Sequence, residues 1–212
     1  MSVIIPAFDA ARVLGLQLDA LASQEGAPPF EVVVVDNNSA DGTAALVRGR
    51  ARNFPVPLRI VTAVEHQGPG YARNAGAAAA RAELLMFADA DDVVSKWWVR
   101  NGARAFESSA LWSGGARLMT DDEMRGGIEQ IRAAMGDEDR RIDVVPGDLS
   151  NAFPVLMGGD FGATRQTYER LGGFDVSLGG VYEDNDLAVR AHRAGVPVDE
   201  APDVRIAFRG KW

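Results

Sequence analysis

Blocks of apolar residues alternate with longer amphipathic stretches through the first half of the chain. Short continuous apolar runs are typical of strands buried on both faces, whereas apolar residues three or four positions apart are typical of helices. The pattern predicts strands at 2–5, 30–35, 58–61 and 84–88, and helices at 10–23, 41–52, 71–82 and 97–106. Pro6 is expected to stop the first strand. This alternation predicts an α/β fold with a mostly parallel, doubly wound sheet flanked by helices.

The second half of the chain has a less regular pattern. It predicts strands from Leu111 and at 160–164, and helices at 167–171 and 187–194. Thr120–Glu123 is a capping-box sequence. The helix after it is expected to bury one side, formed by Met124, Ile128, Ile131 and Met135. Gly136–Arg141 is a charged run expected to lie in solvent, and no repeat or linker divides the chain, which predicts a single domain over 1–212.

Three carboxylates follow the fourth predicted strand directly, at Asp89, Asp91 and Asp92. Burying an unpaired carboxylate is costly, so this cluster is expected where the strand leaves the core. On an extended chain the side chains of Asp89 and Asp91 would point the same way, which suits a hard cation such as Mg2+ or Mn2+. The alternative is a polar turn in which Asp92 caps a helix.

Polar residues follow the other predicted strands as well, at Pro6–Asp9 and Asp36–Asn38. In open α/β sheets ligands bind outside the carboxyl ends of the strands, so these stretches are expected to meet at one site. Gly68–Gly70 opens a helix carrying Arg73, and such a loop could cradle a phosphate at the helix N-terminus. Arg73 could equally be a surface residue. The chain has neither a Walker loop nor a G-x-G-x-x-G after the first strand, which disfavours a dinucleotide dehydrogenase.

Charge and composition narrow the class of protein. The 212 residues carry a formal net charge of −8, which argues against nucleic acid as a partner and means that an anionic ligand needs local cations or a metal. Cysteine is absent, so disulfides and thiolate nucleophiles are excluded. With no basic–apolar leader and no apolar run of membrane-spanning length, we expect a cytoplasmic protein; peripheral contact with the inner membrane face stays open.

Glu183-Asp184-Asn185-Asp186 lies just ahead of the last predicted helix. Acidic residues in a first helical turn stabilise the helix dipole and cap its amides. A catalytic carboxylate is the alternative interpretation of this stretch.

Together these stretches resemble the family 2 glycosyltransferases of the GT-A fold. Five blocks in the expected order carry the resemblance, after the opening Val3–Phe8. They are Val34–Thr43, Gly68–Gly76, Asp89–Asp91 at the family's D-x-D position, Leu171–Asp175 and Glu183–Leu187.

The resemblance implies an inverting glycosyltransferase of hexosyltransferase type, which moves a sugar from a nucleoside-diphosphate sugar to a hydroxyl of a saccharide or lipid-linked acceptor. A UDP-sugar is the default donor; guanine and thymine stay open. It implies a nucleotide-binding half at 1–110 and an acceptor-side half at 111–212. The residues implied for the nucleotide-sugar are Pro6, Ala7, Asp9, Asp36, Arg73, Asp89 and Ala90. Asp91 would hold Mn2+ or Mg2+ on the diphosphate, and Asp184 would be the catalytic base.

The sequence departs from the resemblance in two respects. Many relatives place a histidine metal ligand where this chain reads Ile206–Gly210, and many continue beyond Trp212, with a segment that could form a lid or a membrane-docking helix. These departures favour an alternative, a nucleotide-sugar-binding protein with little turnover, whereas Asp91 and Asp184 favour an enzyme. A sugar-phosphate nucleotidylyltransferase is disfavoured because Pro6–Asp9 is not a glycine-rich loop with a basic residue.

Overall fold

The structure is a computed structural model that describes residues 1–136, 142–149, 155–179 and 182–210. Of the charged run predicted at Gly136–Arg141, residues 137–141 lie outside these ranges. Within the described part of the chain, no helix is both long and apolar enough to cross a membrane.

Eight strands and eight α-helices are arranged along the described chain. The strands are β1 Ser2–Ala7, β2 Glu31–Asp36, β3 Leu58–Thr62, β4 Leu84–Ala88, β5 Val93–Val94, β6 Leu111–Met119, β7 Asp160–Thr164 and β8 Asp199–Arg209. The helices are α1 Leu14–Ala22, α2 Thr43–Ala51, α3 Pro69–Ala79, α4 Trp98–Ala105, α5 Asp121–Met124, α6 Ile128–Met135, α7 Arg165–Arg170 and α8 Glu183–Arg193, with a 3₁₀ helix at Val176–Leu178.

The strands form one sheet in the order β3-β2-β1-β4-β7-β6-β8-β5. The first four strands are parallel, with Ile4 opposite Val33 on one side and Phe87 on the other, so the predicted doubly wound sheet is confirmed. β7 runs antiparallel between β4 and β6, and β6 pairs in parallel with β8. The carboxyl ends of β1, β2 and β4 therefore meet the amino end of β7 at one edge of the sheet.

Continuous apolar strands produce a sheet buried on both faces. Successive residues of β1 and β2 alternate between two hydrophobic clusters, Ile5 belonging to one and Ile4 to the other. Helix α3 packs so closely on β1 and β2 that a Cβ at Gly76 would overlap the side chains of Ile4 and Val35. This close contact fixes the N-terminus of α3 against the carboxyl edge of the sheet.

Three predicted boundaries near the future site are wrong. β1 continues through Pro6 to Ala7, because its pairing with β4 ends at Ile4 and Pro6 lies beyond the doubly paired part of the strand. Helix α8 begins at Glu183, so its acidic residues form the first turn instead of preceding the helix. Helix α3 begins at Pro69, two residues earlier than predicted, with proline in the first turn where its missing N–H is tolerated.

The strands that the pattern did not predict lie after β4 in the chain. β5 and the long β8 were not predicted as strands, and β8 carries Pro202 and charged residues that interrupt its apolar alternation. The predicted single helical side over 124–135 is wrong, since Gly126 and Gly127 separate α5 from α6. The predicted packing is confirmed: Met124, Ile131 and Met135 are buried, and Ile128 packs against them.

Candidate functional site

A cleft of about 590 Å3 opens at the carboxyl edge of the sheet. Seven residues predicted for the site line it: Pro6, Ala7, Asp9, Arg73, Asp89, Ala90 and Asp91. Asp36 lies outside this lining at the end of β2, nearly buried, and its Oδ1 accepts a hydrogen bond from the Ser39 N–H at 3.1 Å. A second cavity of about 410 Å3, between β6, β8 and the end of α8, contains none of the predicted residues.

The loops after β1 and β2 are bonded to each other at one wall of the cleft. The Asp9 N–H donates to Ser39 Oγ at 3.0 Å, and the Ala40 N–H donates to Asp9 Oδ1 at 2.8 Å. Asp9 and Asn38 have positive φ angles of 46° and 70°, a conformation that Asp and Asn tolerate better than most residues. These hydrogen bonds hold the two loops in their positive-φ conformations. The Asp9 carboxylate keeps lone pairs that can accept further hydrogen bonds.

Asn37, which belongs to the stretch Asp36–Asn38 expected at the site, connects three segments around the cleft. Its Nδ2 donates to the carbonyl oxygens of Ala63 and His66, and its Oδ1 accepts from the Gly68 N–H at 2.8 Å. The side chain is buried, and the residue lines the cleft. One amide therefore joins the end of β2 to the segment after β3 and to the N-terminus of α3.

Gln17 fixes the acidic turn after β4, and the sequence pattern did not predict this residue for the site. This glutamine is fully buried on the apolar side of α1. Its Nε2 donates to the Asp89 carbonyl oxygen at 2.9 Å, and its Oε1 accepts from the Val94 N–H at 3.0 Å. The only available sequence clue was a polar residue among Leu14, Leu18 and Leu21.

The expectation that Asp89 and Asp91 lie on an extended chain is wrong, because the backbone turns at Ala90 and Asp91. The three carboxylates have different surroundings. Asp89 pairs with Arg73, and Asp92 is buried with its Oδ1 accepting from the Arg209 N–H at 2.9 Å. Asp91 borders the cleft, and its carbonyl oxygen accepts from Arg209 Nε at 3.0 Å. β8 therefore fixes the backbone of the turn.

Arg73 is buried beneath the cleft, so the surface alternative for this residue is wrong. Its guanidinium lies 2.6 Å from Asp89 Oδ1 and 3.3 Å from Glu183 Oε1, and 5.2 Å from the centre of the Phe174 ring. Burial by itself lowers the pKa of Arg73, but the charges of Asp89 and Glu183 outweigh burial and raise it. Arg73 is thus a permanent cation that ties α3 to the acidic turn and to α8.

Asp184 lies beside this cluster, in the first turn of α8. Its Oδ2 accepts from the Gly158 N–H at 3.2 Å, and its Oδ1 accepts from the Asn185 N–H at 2.8 Å. A Cβ at Gly158 would lie 3.2 Å from Asp184 Oδ2 and 3.5 Å from Arg73 Nη2, so both side chains flank this glycine. The half-buried Asp184 carboxylate therefore adjoins the cleft without lining it.

The residues present fit a divalent cation that shares its ligands with a substrate. Among the described residues, no group of three or more His, Cys, Asp or Glu side chains could hold a metal ion. Mg2+ is usually bound through one or two carboxylates plus substrate phosphates, without an all-protein cage. Asp91 lines the cleft and is suited to that arrangement, and Asp89 beside it is paired with Arg73.

A buried carboxyl group lies just behind the acidic turn. Trp98 Nε1 donates to Asp160 Oδ1 at 2.8 Å, and Asp160 Oδ2 has no hydrogen-bond partner among the described residues. Burial raises the pKa of Asp160 well above its ordinary value, and the nearby Asp92 charge raises it further. Asp160 is therefore protonated in the folded protein at pH values where it is ionised in the unfolded chain.

Asp160→Asn is expected to stabilise the protein at neutral pH, because the amide keeps an acceptor for Trp98 and never ionises. In the wild type the folded state binds more protons than the unfolded state above about pH 4, so stability falls as pH rises toward the folded pKa. The gain in melting temperature should be several degrees at pH 7.5 and vanish near pH 4. Melting curves of both proteins across this range test it. A gain that is constant with pH, or a loss at pH 7.5, would contradict it.

With this topology and cleft, the chain has the GT-A glycosyltransferase fold. It belongs to glycosyl transferase family 2, whose family model matches residues 2–167.

Known proteins resemble parts or all of the chain. YfnE of Bacillus subtilis, described as an uncharacterized glycosyltransferase, is 37% identical over 107 residues, covering 50% of this chain and 27% of YfnE. A validoxylamine A glucosyltransferase of Streptomyces hygroscopicus is 29% identical over 228 residues, covering 93% of this chain and 49% of that protein. The chain thus spans less than half the length of either relative.

Solved structures share the fold over nearly the whole chain. Staphylococcus aureus TarS in complex with UDP-GlcNAc superposes with a TM-score of 0.72 at 18% identity, covering 100% of this chain and 58% of that one. The mannosyltransferase PcManGT of Pyrobaculum calidifontis, in complex with GDP-Man and Mn2+, gives a TM-score of 0.71 at 26% identity, covering 98% and 56%.

Proposed function

We propose that the protein is an inverting glycosyltransferase that takes a nucleoside-diphosphate sugar, with UDP-sugar as the first candidate, and a divalent metal. The observation that carries this proposal is the position of Asp184 beside the Arg73–Asp89 pair, at the same edge of the sheet as the acidic turn. Family membership and relatives that bind nucleotide-sugars support it. The nucleotide-binding half at 1–110 and the acceptor-side half at 111–212 are part of the proposal.

The reaction would be a single displacement. The acceptor hydroxyl oxygen forms a bond to the anomeric carbon as the bond from that carbon to the diphosphate oxygen breaks. The nucleoside diphosphate leaves with the electron pair, and the proton of the hydroxyl passes to the Asp184 carboxylate. Attack opposite the leaving group inverts the anomeric centre.

Different residues of the cleft would bind different parts of the donor. Pro6, Ala7 and Asp9 would form the base and ribose wall, with Asp36 below it at the end of β2. Asp89 and Ala90 would meet the ribose and the diphosphate. Arg73, as a buried cation, would hold Asp89 in position and offset the negative charge that builds up on the leaving group.

Asp91 would hold Mn2+ or Mg2+ at the diphosphate. The ion would stabilise the charge on the leaving diphosphate oxygens. The Arg209 contact with the Asp91 carbonyl oxygen would keep the turn that presents this carboxylate.

A second candidate is a protein of the same fold that binds nucleotide-sugars with little turnover. It is favoured by the stretch Ile206–Gly210, which lacks the histidine that many relatives place there as a metal ligand. Production of nucleoside diphosphate from a nucleotide-sugar separates the two candidates, because a binding protein gives none.

A thermal-shift panel of nucleoside diphosphates and nucleotide-sugars, with and without Mn2+, tests donor binding. At about 100 times its dissociation constant, a ligand stabilises the folded state by roughly 2.7 kcal/mol. For a chain of this size that corresponds to a rise in melting temperature of about 5–10 °C. We expect one nucleotide to give this rise, and to require the metal.

Asp91→Asn should abolish the metal-dependent part of the rise while leaving the melting temperature without ligand unchanged. Asp122→Asn is the matched control, because it makes the same charge change on an exposed α5 side chain. No rise with any nucleotide in the presence of Mn2+ would refute the glycosyltransferase proposal. An undiminished metal dependence in Asp91→Asn would refute the role of Asp91 alone.

A further inference from the structure

Tyr182 has a backbone conformation that its residue type does not favour. The described non-glycine residues with positive φ are Asp9, Asn38 and Tyr182; Asp9 lines the cleft, and Asn38 and Tyr182 are each next in the chain to a residue that lines it. Asp and Asn enter the left-handed region comparatively easily, whereas for a bulky residue it is a true outlier. The φ of Tyr182 is 61°, so this aromatic residue is held at a cost in free energy, and such strain concentrates at functional sites.

The Tyr182 ring does not contribute enough packing to explain that strain. The residue is 72% exposed, and its side chain makes no capping hydrogen bond although it stands at the N-cap of α8. Its backbone carbonyl accepts from the Asp186 N–H at 2.9 Å, which any residue could provide. Gly or Asn would fit this conformation with less strain. The ring itself is therefore the feature that requires an explanation.

Tyr182 stands at the mouth of the cleft, because the residue that follows it lines the cleft. Glu183, the next residue, lines the cleft, and so does Gly179 at the end of the 3₁₀ helix. Val176 and Leu178 of that helix are 43% and 37% exposed. An exposed aromatic ring two residues from Asp184 thus borders the place where an acceptor hydroxyl must arrive.

The charges at this mouth select the kind of acceptor. The first turn of α8 carries three carboxylates, Glu183, Asp184 and Asp186, and Arg190 is already paired with Asp186 at 2.7 Å. The chain as a whole carries a net charge of −8. A phosphate-bearing acceptor would be repelled here, whereas carboxylates accept hydrogen bonds from sugar hydroxyls and an aromatic face packs against the C–H face of a pyranose.

We infer that Tyr182 is the stacking platform for a pyranose ring of an uncharged saccharide acceptor. This inference rests on the proposed function and names the acceptor class of that same site. Tyr182 acts on acceptor affinity, and Asp184 two residues later receives the proton.

The inference predicts a choice between acceptors. With the donor found in the thermal-shift panel, the wild-type enzyme should transfer sugar to neutral p-nitrophenyl glycosides of glucose, galactose, mannose or N-acetylglucosamine. It should not transfer to a ribitol phosphate oligomer or a polyprenyl phosphate. Donor hydrolysis combined with transfer only to the phosphate-bearing acceptors, or with no transfer to any neutral glycoside, would overturn the inference. Failure to bind or hydrolyse any nucleotide-sugar would instead refute the proposed function.

Three substitutions of Tyr182 distinguish the effect of removing the ring from the effect of relieving the positive φ. Tyr182→Gly and Tyr182→Asn should raise the acceptor KM about tenfold or more, because a lost aromatic contact is worth about one factor of ten. Both should melt at the wild-type temperature or slightly above it, since they relieve the positive φ. Tyr182→Phe should keep the wild-type KM. An acceptor KM unchanged in Tyr182→Gly, or a donor-induced thermal shift lost along with transfer, would contradict the platform role.

Discussion

Asp184→Asn is expected to lower the rate of sugar transfer about 100- to 10,000-fold, the range typical for removal of a general base. The amide has nearly the shape of the carboxylate, and its oxygen can still accept one of the two N–H groups, those of Gly158 and Asn185, but it cannot take the acceptor proton. Nucleotide affinity and melting temperature should change little. Single-turnover transfer, measured with saturating donor and acceptor, gives the effect on the chemical step.

Asp186→Asn is the matched control for Asp184→Asn. It lies in the same helical turn and removes one carboxylate, and Asp186 is paired with Arg190 on the same helix. If Asp184 and Asp186 served only as negative charges in the first turn of α8, the two variants would lose the same amount of stability, and both would retain sugar transfer. Near wild-type transfer by Asp184→Asn would place the base elsewhere, and unfolding of that variant alone would favour a capping role.

Arg73→Met is expected to have the largest effect on stability. Removing one partner of a buried ion pair leaves uncompensated charge, here on Asp89 and Glu183. The usual cost is about 3–5 kcal/mol, and we expect the lower end because the Asp89 side chain is 30% exposed. A loss of about 3 kcal/mol lowers the melting temperature by about 6–12 °C for a chain of this size.

A further result should accompany that loss. Nucleotide binding should be lost even below the lowered melting temperature, because Asp89 loses the partner that holds it at the cleft. Arg59→Met is the control: it breaks an Arg–Glu pair on β3 and should leave nucleotide binding intact. A thermal shift retained by Arg73→Met would contradict the role of this arginine at the donor.

The parallel half of the sheet followed from the sequence because its strands are continuous apolar runs. Val32–Val35 has no polar residue to suggest any other structure, and its neighbours in the sheet are similar. β8 could not be predicted in this way, since Pro202, Asp203 and Arg205 interrupt its apolar pattern and its pairing with β6 shifts register at Gly114 and Gly115. Its strand structure depends on partners far away in the chain.

The same difference separates the site residues that could be predicted from those that could not. The residues at the ends of β1 and β4 converge by topology alone, so a pattern of strand ends was enough to place them. The position of Asn37 after β2 placed it at the site, but its contacts with backbone groups 26–31 positions away did not follow from the pattern. Neither did those of Gln17, which lie 72–77 positions away. The periodicity of apolar residues contains no information on such contacts. In the sequence, a buried glutamine on a helix cannot be distinguished from an exposed polar residue.

The bond between Arg209 and the Asp91 carbonyl oxygen has a consequence for synthesis of the protein. It joins residues 118 positions apart, so the acidic turn cannot reach its final geometry until the chain has been made through β8. At about 5–20 residues per second, translation needs roughly 6–24 s to cover that distance. During this interval the nascent chain contains the strands of the parallel half of the sheet, whereas the acidic turn still lacks the contact with Arg209 that fixes its backbone.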